Sequence, residues 1–412
     1  MRTERILSII LALVLLASAV PLAITSAAAY EKKIPCDADG NNELTKEEFV
    51  NAILPYMLDE SSYTLDDVGD AAWVYAYWDG KPKTVVDQAD RTVTIYRPVE
   101  RVVCLFPSVM RIIVHLGAVD KIVGVSERTH NYGENMVAVR AYPELEELPC
   151  AGNYNDPNLE TLVTLKPDVI FMYGGVSDVA DATQEKVGIP VVCLNPSPTG
   201  GEFSAPGGPF ETWRLAGIVL GEKERAEELI SYCKEEIEKV SGITSEIPES
   251  EKPTVYFCHA HRASDITRAV TSYDPLDIAG GINVAAEIRP DSGSVVVDIS
   301  KEQIIKWNPD IILIHSFSKE PKLSIEKVLS DPTLQTVSAV KNKHIYYTKG
   351  WYIGWDPATG LTECFYMAKL FHPTIFKDLD VEEEGNEILK RFYGADGLYT
   401  WILERGNYYT WD

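Results

Sequence analysis

The chain has 412 residues, with 62 acidic against 38 basic side chains and a formal charge of −24. That length predicts two or three domains, and so large a negative excess excludes nucleic acid and anionic lipid as natural partners. The seven cysteines are an odd number at scattered spacings with no CxxC or Cys/His pattern. No zinc site is therefore expected, and Cys104, Cys193 and Cys258, lying in or beside apolar runs, read as buried free thiols.

In chain order, residues 1–29 come first. Met1 to Arg5 form a short charged start, Ile6 to Ile24 carry no charge, and Ala27–Ala29 offer a cleavage site before Tyr30. This is the pattern of a signal peptide, although the apolar run is also long enough for an uncleaved anchor. Either way the protein is expected outside the cytoplasm. Residues 36–49, CDADGNNELTKEEF, follow. Asp37, Asp39, Asn41, Glu43 and Glu48 fall on positions 1, 3, 5, 7 and 12 of a calcium loop, with Glu43 contributing its backbone carbonyl. Asn42 stands where such loops turn on Gly, and no entering helix is evident. Residues 30–80 thus resemble an EF-hand or dockerin-type half-module, a small α-helical segment that implies Ca2+. The alternative is a solvated acidic loop capping a helix over Lys46–Met57. A second helix is expected from Leu65.

Lys81-Pro82-Lys83 reads as a linker, and a first α/β lobe spans 91–208. Within it, Arg101–Leu105 is predicted as a strand, Phe106–Ser108 as a turn, and Val109–Leu116 as a helix with Ser108 as N-cap and Gly117 after it. Two later stretches share one design. Asn158-LETLVTLKPDVIFMYGG and Ser300-KEQIIKWNPDIILIHS align without a gap, Glu160 on Glu302 and Pro167-Asp168 on Pro309-Asp310. Each predicts a short helix stopped before Pro, then a strand apolar enough to be covered on both faces. Between them, 209–242 is predicted as one long helix: Pro209 sits at its start and apolar residues recur with helical period to Val240. The repeat therefore implies a second lobe at 250–378, a rigid connector and a cleft. The tail, 379–412, carries an amphipathic helix over Val381–Tyr393.

No GxGxxG after a strand, GxxxxGK[ST] loop, GxSxG elbow or HExxH occurs, so an enzyme is not expected.

VERVVCLFPSVMRIIVHLGAVDKIVGVSE from Val99, the PNLETLVTLKPDVIFMYG segment, the long connector and VVVDISKEQIIKWNPDIILIHS, in this order, resemble the substrate-binding proteins of ABC importers for iron chelates, haem and cobalamin. The resemblance covers about Val99 to Lys377. It implies two Rossmann-like lobes joined by one long rigid helix, with an ABC permease and ATPase as partners. It implies that Glu160 and Glu302 dock on the permease. The cargo would be a ferric chelate (siderophore), haem or corrinoid, met by loops at the strand ends: Tyr154, Tyr173, His259, Arg262, Trp351 and Tyr352, with His261, His315 and Trp355 nearby. Arg128, Arg262 and Arg268 are candidates for chelate oxygens. His259 and His261, on one face of a strand, are candidates for a metal. A bare-metal binder and a calcium-dependent adhesion or scaffold protein are the remaining alternatives.

Overall fold

The computed structural model describes residues 32–196, 201–203, 205, 207–260, 265–288, 295–317, 321–350 and 354–411. The leader or anchor read in residues 1–29 lies outside the described residues. Twelve described strands form one ribbon and two sheets. The ribbon is antiparallel, β1 (Lys83–Val86) against β2 (Thr92–Ile95). The first sheet contains β3 (Val102–Cys104), β4 (Ile122–Val125), β5 (Val169–Tyr173) and β6 (Val191–Leu194), all parallel, in the order β4-β3-β5-β6.

The second sheet contains β7 (Thr254–His259), β8 (Arg268–Val270), β9 (Ile282–Asn283), β10 (Val296–Asp298), β11 (Ile311–His315) and β12 (Ile345–Thr348). Its order is β10-β8-β7-β11-β12, with β9 beside β7. Here β7, β9, β11 and β12 are parallel, while β8 and β10 run antiparallel at the edge. Two separate sheets make two α/β lobes. Every residue of β3, β6 and β11 is buried, and β5 and β7 are exposed only in part at their ends, because helices cover both faces.

The repeated stretches adopt the same local structure. In the first, Asn158 caps the Leu159–Leu165 helix by accepting from Thr161 N, and Lys166 ends it at φ 48°. In the second, Ser300 caps Lys301–Trp307 by accepting from Gln303 N, and Asn308 ends it at φ 46°. Each helix is followed by Pro, Asp and a five-residue strand. The residue before each proline is thus driven out of the right-handed helical region, as its crowding against the proline ring requires.

The connector departs from expectation. Instead of one helix over 209–242 there are two, Pro209–Leu220 and Lys223–Thr244, broken at Gly221, whose φ of 86° ends the first. They fold back on one another: Arg214 Nε lies 2.6 Å from Glu227 Oε1, and the Lys234 ammonium sits 5.8 Å from the Phe210 ring centre. A Cβ on Gly217 would come within 3.0 Å of Ala226 Cβ, so this hairpin needs a bare backbone there. The second helix, of 22 residues and therefore about 33 Å, alone carries the chain towards the second lobe. Apolar periodicity continues across the break and gave no sign of it; Gly217 and Gly221 were the sequence signal. The first-lobe helix also starts earlier than expected. It runs Pro107–His115 with Phe106 as N-cap and Pro107 in its first turn, so Ser108 lies inside the helix and does not cap it.

One apolar core runs through both lobes, from Val102 and Phe171 through Trp213 to Phe257 and Leu313, and takes in the tail, and each lobe has a second core on the other face of its sheet, around Ile170 and Met172 in the first and Ile312 and Ile314 in the second. The tail forms the helices Val381–Tyr393 and Leu398–Gly406. Phe392 stacks 5.6 Å from Trp213 and meets the His115 ring at 5.1 Å, and Tyr408 packs 4.9 Å from Tyr366. The N-terminal helices, Lys46–Met57 and Leu65–Tyr77, have a core of their own around Leu44, Phe49, Val68 and Val74. Each begins with a reciprocal cap, Thr45 with Glu48 and Thr64 with Asp67.

Candidate functional site

Strand C-termini and the loops after them line the space between α/β lobes. In the first lobe three aromatic rings gather there. Phe106 follows β3, Tyr173 ends β5, and Tyr154 lies in the loop before the Leu159–Leu165 helix. Phe106 is 5.0 Å from Tyr154 and 5.1 Å from Tyr173, and the two tyrosines are 5.7 Å apart. The angles are tilted or edge-on, the arrangement the ring quadrupoles favour. Phe106 is buried and both tyrosines are half-buried. Burial beside Tyr154 pushes the Tyr173 phenol up from its ordinary value. Arg128, in the first turn after β4, holds its guanidinium 5.5 Å above the Phe106 ring. Phe106 was read from sequence only as part of a turn; its place directly after a buried strand was the available signal.

In the second lobe β7 and β11 are neighbours in register, His259 opposite His315. Their rings lie 4.6 Å apart, with His315 fully buried and His259 half-buried. The structure therefore places His259 beside His315. His261, Arg262, Trp351 and Tyr352 lie outside the described residues. One expected cleft residue is buried: Trp355 is 1% exposed and packs edge-on against Phe203 at 4.9 Å. Arg268 opens β8, which runs antiparallel to β7 with Ala269 opposite Cys258, and its guanidinium lies 3.5 Å from Asp298.

Gly350 approaches the second lobe and Gly354 the first. Gly350 has φ 51°, and a Cβ there would lie 2.9 Å from His315 Cδ2; Gly354 has φ 80°, and a Cβ there would lie 2.9 Å from Ser108 Cβ. Both positions therefore combine left-handed backbone with close approach. Below them lies a buried polar network that sequence reasoning missed. Arg111 Nη1 donates to Gly354 O at 3.1 Å, and Tyr393 Oη donates to Asp356 Oδ2 at 2.8 Å. Asp356 also faces His115 Nε2 at 3.6 Å and Lys349 Nζ at 4.0 Å. Burial holds the His115 imidazole down at about 4 and Lys349 at about 8. Glu363 accepts from Lys349 N at 2.7 Å and from the hydroxyls of Tyr273, Thr348 and Tyr408. Buried charges must be paired and hydrogen-bonded in this way; the network joins the lobes beneath the cleft.

Glu160 and Glu302 stand in the first turns of the twin helices, both exposed. Bonds from its own backbone N–H and the Ser300 hydroxyl hold the Glu302 carboxyl below its ordinary value. In the N-terminal loop, one carboxylate oxygen from each of Asp37, Asp39 and Glu48 lies within 4.8 Å of the others. Asp37 accepts from Gly40 N at 2.9 Å and Asn42 N at 2.7 Å, and Asn42 has φ 62°. Asn41 Oδ1 accepts from Glu43 N at 2.7 Å, and the Glu43 side chain faces Lys81 at 3.6 Å. The cluster is an all-oxygen donor set of the kind hard divalent cations take.

Two α/β lobes, a helical connection and an aromatic wall at the strand ends define a two-lobed solute-binding protein. Residues 102–351 match the periplasmic binding protein family, and the chain belongs to that family. It is 27% identical over 329 residues to the molybdate-binding protein MolA of Haemophilus influenzae, covering 76% of this chain and 91% of that one. It is 24% identical to a cobalamin-binding protein of Halobacterium salinarum, over 56% of this chain and 58% of that protein. Among solved structures, a periplasmic solute-binding protein from Veillonella parvula superimposes with a TM-score of 0.63 at 22% identity, covering 79% of this chain and 97% of that one. The protein is thus an exported, non-catalytic binding component of an ABC importer, working outside the cytoplasm.

Proposed function

We propose that the protein captures a metal chelate between its lobes, an iron–siderophore complex or a related metal tetrapyrrole such as haem, and hands it to an ABC permease. The observation that carries this reading is the Phe106–Tyr154–Tyr173 wall. Aromatic rings give a bulky, partly apolar ligand large contact area at little entropy cost, with hydroxyls at the edge. His259 supplies an imidazole on the opposite lobe with the buried His315 ring behind it, and Arg262, Trp351 and Tyr352 belong to the same reading as ligand contacts. Glu160 and Glu302, one per lobe on equivalent helices, dock on basic residues of the permease. Asp37, Asp39 and Glu48, with Asn41 and the Glu43 carbonyl, hold Ca2+ and brace the N-terminal helices.

A corrinoid is the second cargo, favoured by the likeness to a cobalamin-binding protein. Molybdate, which MolA binds by name, is a small oxyanion and would leave most of the aromatic wall without a role. Fluorescence titration with ferric-siderophore, haemin and cyanocobalamin tests the reading. Saturable quenching that weakens in a Tyr154→Ala, Tyr173→Ala variant supports it; quenching identical in the variant contradicts it.

A further inference from the structure

Six of the twelve exposed large apolar side chains among the described residues lie between Val50 and Tyr77, in the N-terminal helices. Single exposed apolar side chains are ordinary, but these are ordered. Val50, Leu54, Met57 and Leu58 fall at i, i+4, i+7 and i+8, so they line one side of the helix Lys46–Met57 and its C-cap. They are 37, 53, 60 and 66% exposed, whereas Phe49 and Ala52, on a different side of the same helix, are buried. This helix is therefore apolar on two sides and covered on one. A helix apolar all round is normally buried all round. The second helix adds Trp73 and Tyr77, both exposed, with ring centres 4.4 Å apart.

What covers the stripe is indicated by the chain ahead of it. The uncharged run Ile6–Ile24 ends eight positions before Lys32, the first described residue. Its length is close to that needed to cross a bilayer. With that run in a membrane, eight extended residues hold the module within about 29 Å of the surface. Apolar helix faces, and Trp and Tyr rings beside them, suit the boundary between head groups and acyl chains. Charge selects among occupants. Pairing with a second copy would bring together two modules of a chain with a charge of −24, and anionic lipid would repel it likewise. A net-neutral lipid surface adds no such repulsion.

We propose that the Val50–Leu54–Met57–Leu58 stripe lies on the net-neutral lipid surface of the membrane that holds Ile6–Ile24. The contact would also orient the first lobe. Val163 and Lys166, on the helix that starts with Glu160, line a groove whose other wall is Pro35–Asp37 and Ser62–Asp67 of the module. A module resting on lipid thus keeps that helix close to the membrane.

The full 412-residue chain in phosphatidylcholine nanodiscs tests this by spin labelling. Cys150 is the exposed thiol and the other six cysteines are buried, so labels are placed by Leu54→Cys, Met57→Cys and, as control, Ile243→Cys in a Cys150→Ser background. Ile243 is also exposed but belongs to the connector. The labels at the two stripe positions are expected to collide more with oxygen, which concentrates in lipid, than with a water-soluble nickel chelate, and the control to show the reverse. Replacing half of the lipid by phosphatidylglycerol should not raise that preference; a rise overturns the neutral-lipid assignment. Stripe labels that favour the nickel chelate as the control does, or a chain that does not co-elute with the discs, overturn the proposal. Spin–spin broadening between stripe labels on two chains of one disc means that a second copy covers the stripe, and overturns it too. None of these outcomes bears on cargo capture.

Discussion

Asp168 and Asp310 do the same work in the two lobes. Asp168 Oδ2 accepts from the backbone N–H groups of Glu100 and Arg101 at 2.9 Å each. Asp310 Oδ2 accepts from Thr254 N at 3.0 Å and Thr254 Oγ1 at 2.7 Å. Their own N–H groups donate to Arg101 O and Thr254 O at 2.8 and 2.9 Å. Each aspartate thereby pins the entrance of β5 or β11 to the entrance of the neighbouring strand, β3 or β7. Asp168→Ala is expected to lower stability by about 1–3 kcal/mol, since it strands two backbone donors. Asp310→Ala should cost less, because Asp310 is exposed and water replaces it. Urea unfolding of both variants checks the order; equal losses would mean that exposure does not set the cost.

The twin carboxylates at Glu160 and Glu302 lead to a second expectation. Both are exposed and neither contributes to the core, so Glu160→Ala with Glu302→Ala should leave melting and cargo affinity nearly unchanged. Uptake by cells carrying the cognate permease should fall by about tenfold or more, as expected when charge pairs across an interface lose one side. Full uptake by the double variant would remove the docking role.

The acidic loop makes a third. Calcium should bind with a dissociation constant of about 0.1–1 mM, the range of extracellular modules, and raise the melting temperature. Glu48→Gln should abolish both effects. Because Glu48 also closes the cap on Thr45, Asp39→Asn is the cleaner companion and should weaken binding without touching that cap. A flat calorimetric trace at millimolar calcium contradicts the site.

Asp70 sets a pH dependence at the junction of the N-terminal helices and the first lobe. Burial raises its carboxyl from 3.8 to about 7, against the opposing effect of Arg97 and helped by Asp168, Asp66 and Asp67. Between those two values the folded protein holds a proton that the unfolded chain has released. Its contribution is therefore complete below about pH 4 and is lost as pH rises through 7. The wild type should lose melting temperature between pH 5 and pH 8 relative to Asp70→Asn, which stays neutral throughout. Parallel profiles would show that Asp70 ionises freely.

Much of this fold could be read in the sequence because repetition stands in for comparison. Two copies of helix, proline, aspartate and apolar strand marked the lobes, the parallel strands at the centre of their sheets and the twin glutamates. The N-terminal helix Lys46–Met57 and the tail helix Val381–Tyr393 were legible from caps and period. The helical break at Gly221 was signalled only by the two glycines, since both halves share the apolar period and it is the packing of Gly217 on Ala226 that favours the hairpin. The site was less legible still. A ring cluster such as Phe106, Tyr154 and Tyr173 is assembled from two strand ends and a loop, and nothing local marks the members as neighbours. For the same reason His259 was matched with His261 along one strand, whereas the described partner, His315, comes from the adjacent strand. The network around Asp356 and Glu363 was hidden by composition: in so acidic a chain, buried acids look like exposed ones.

Native mass spectrometry of the protein purified from its own cells tests cargo capture most directly. One additional small-molecule mass per chain, lost on denaturation and absent from the Tyr154→Ala, Tyr173→Ala variant, is the expected result. An identical bound mass in that variant, or a chain that carries and accepts no small molecule, would contradict capture at the aromatic wall.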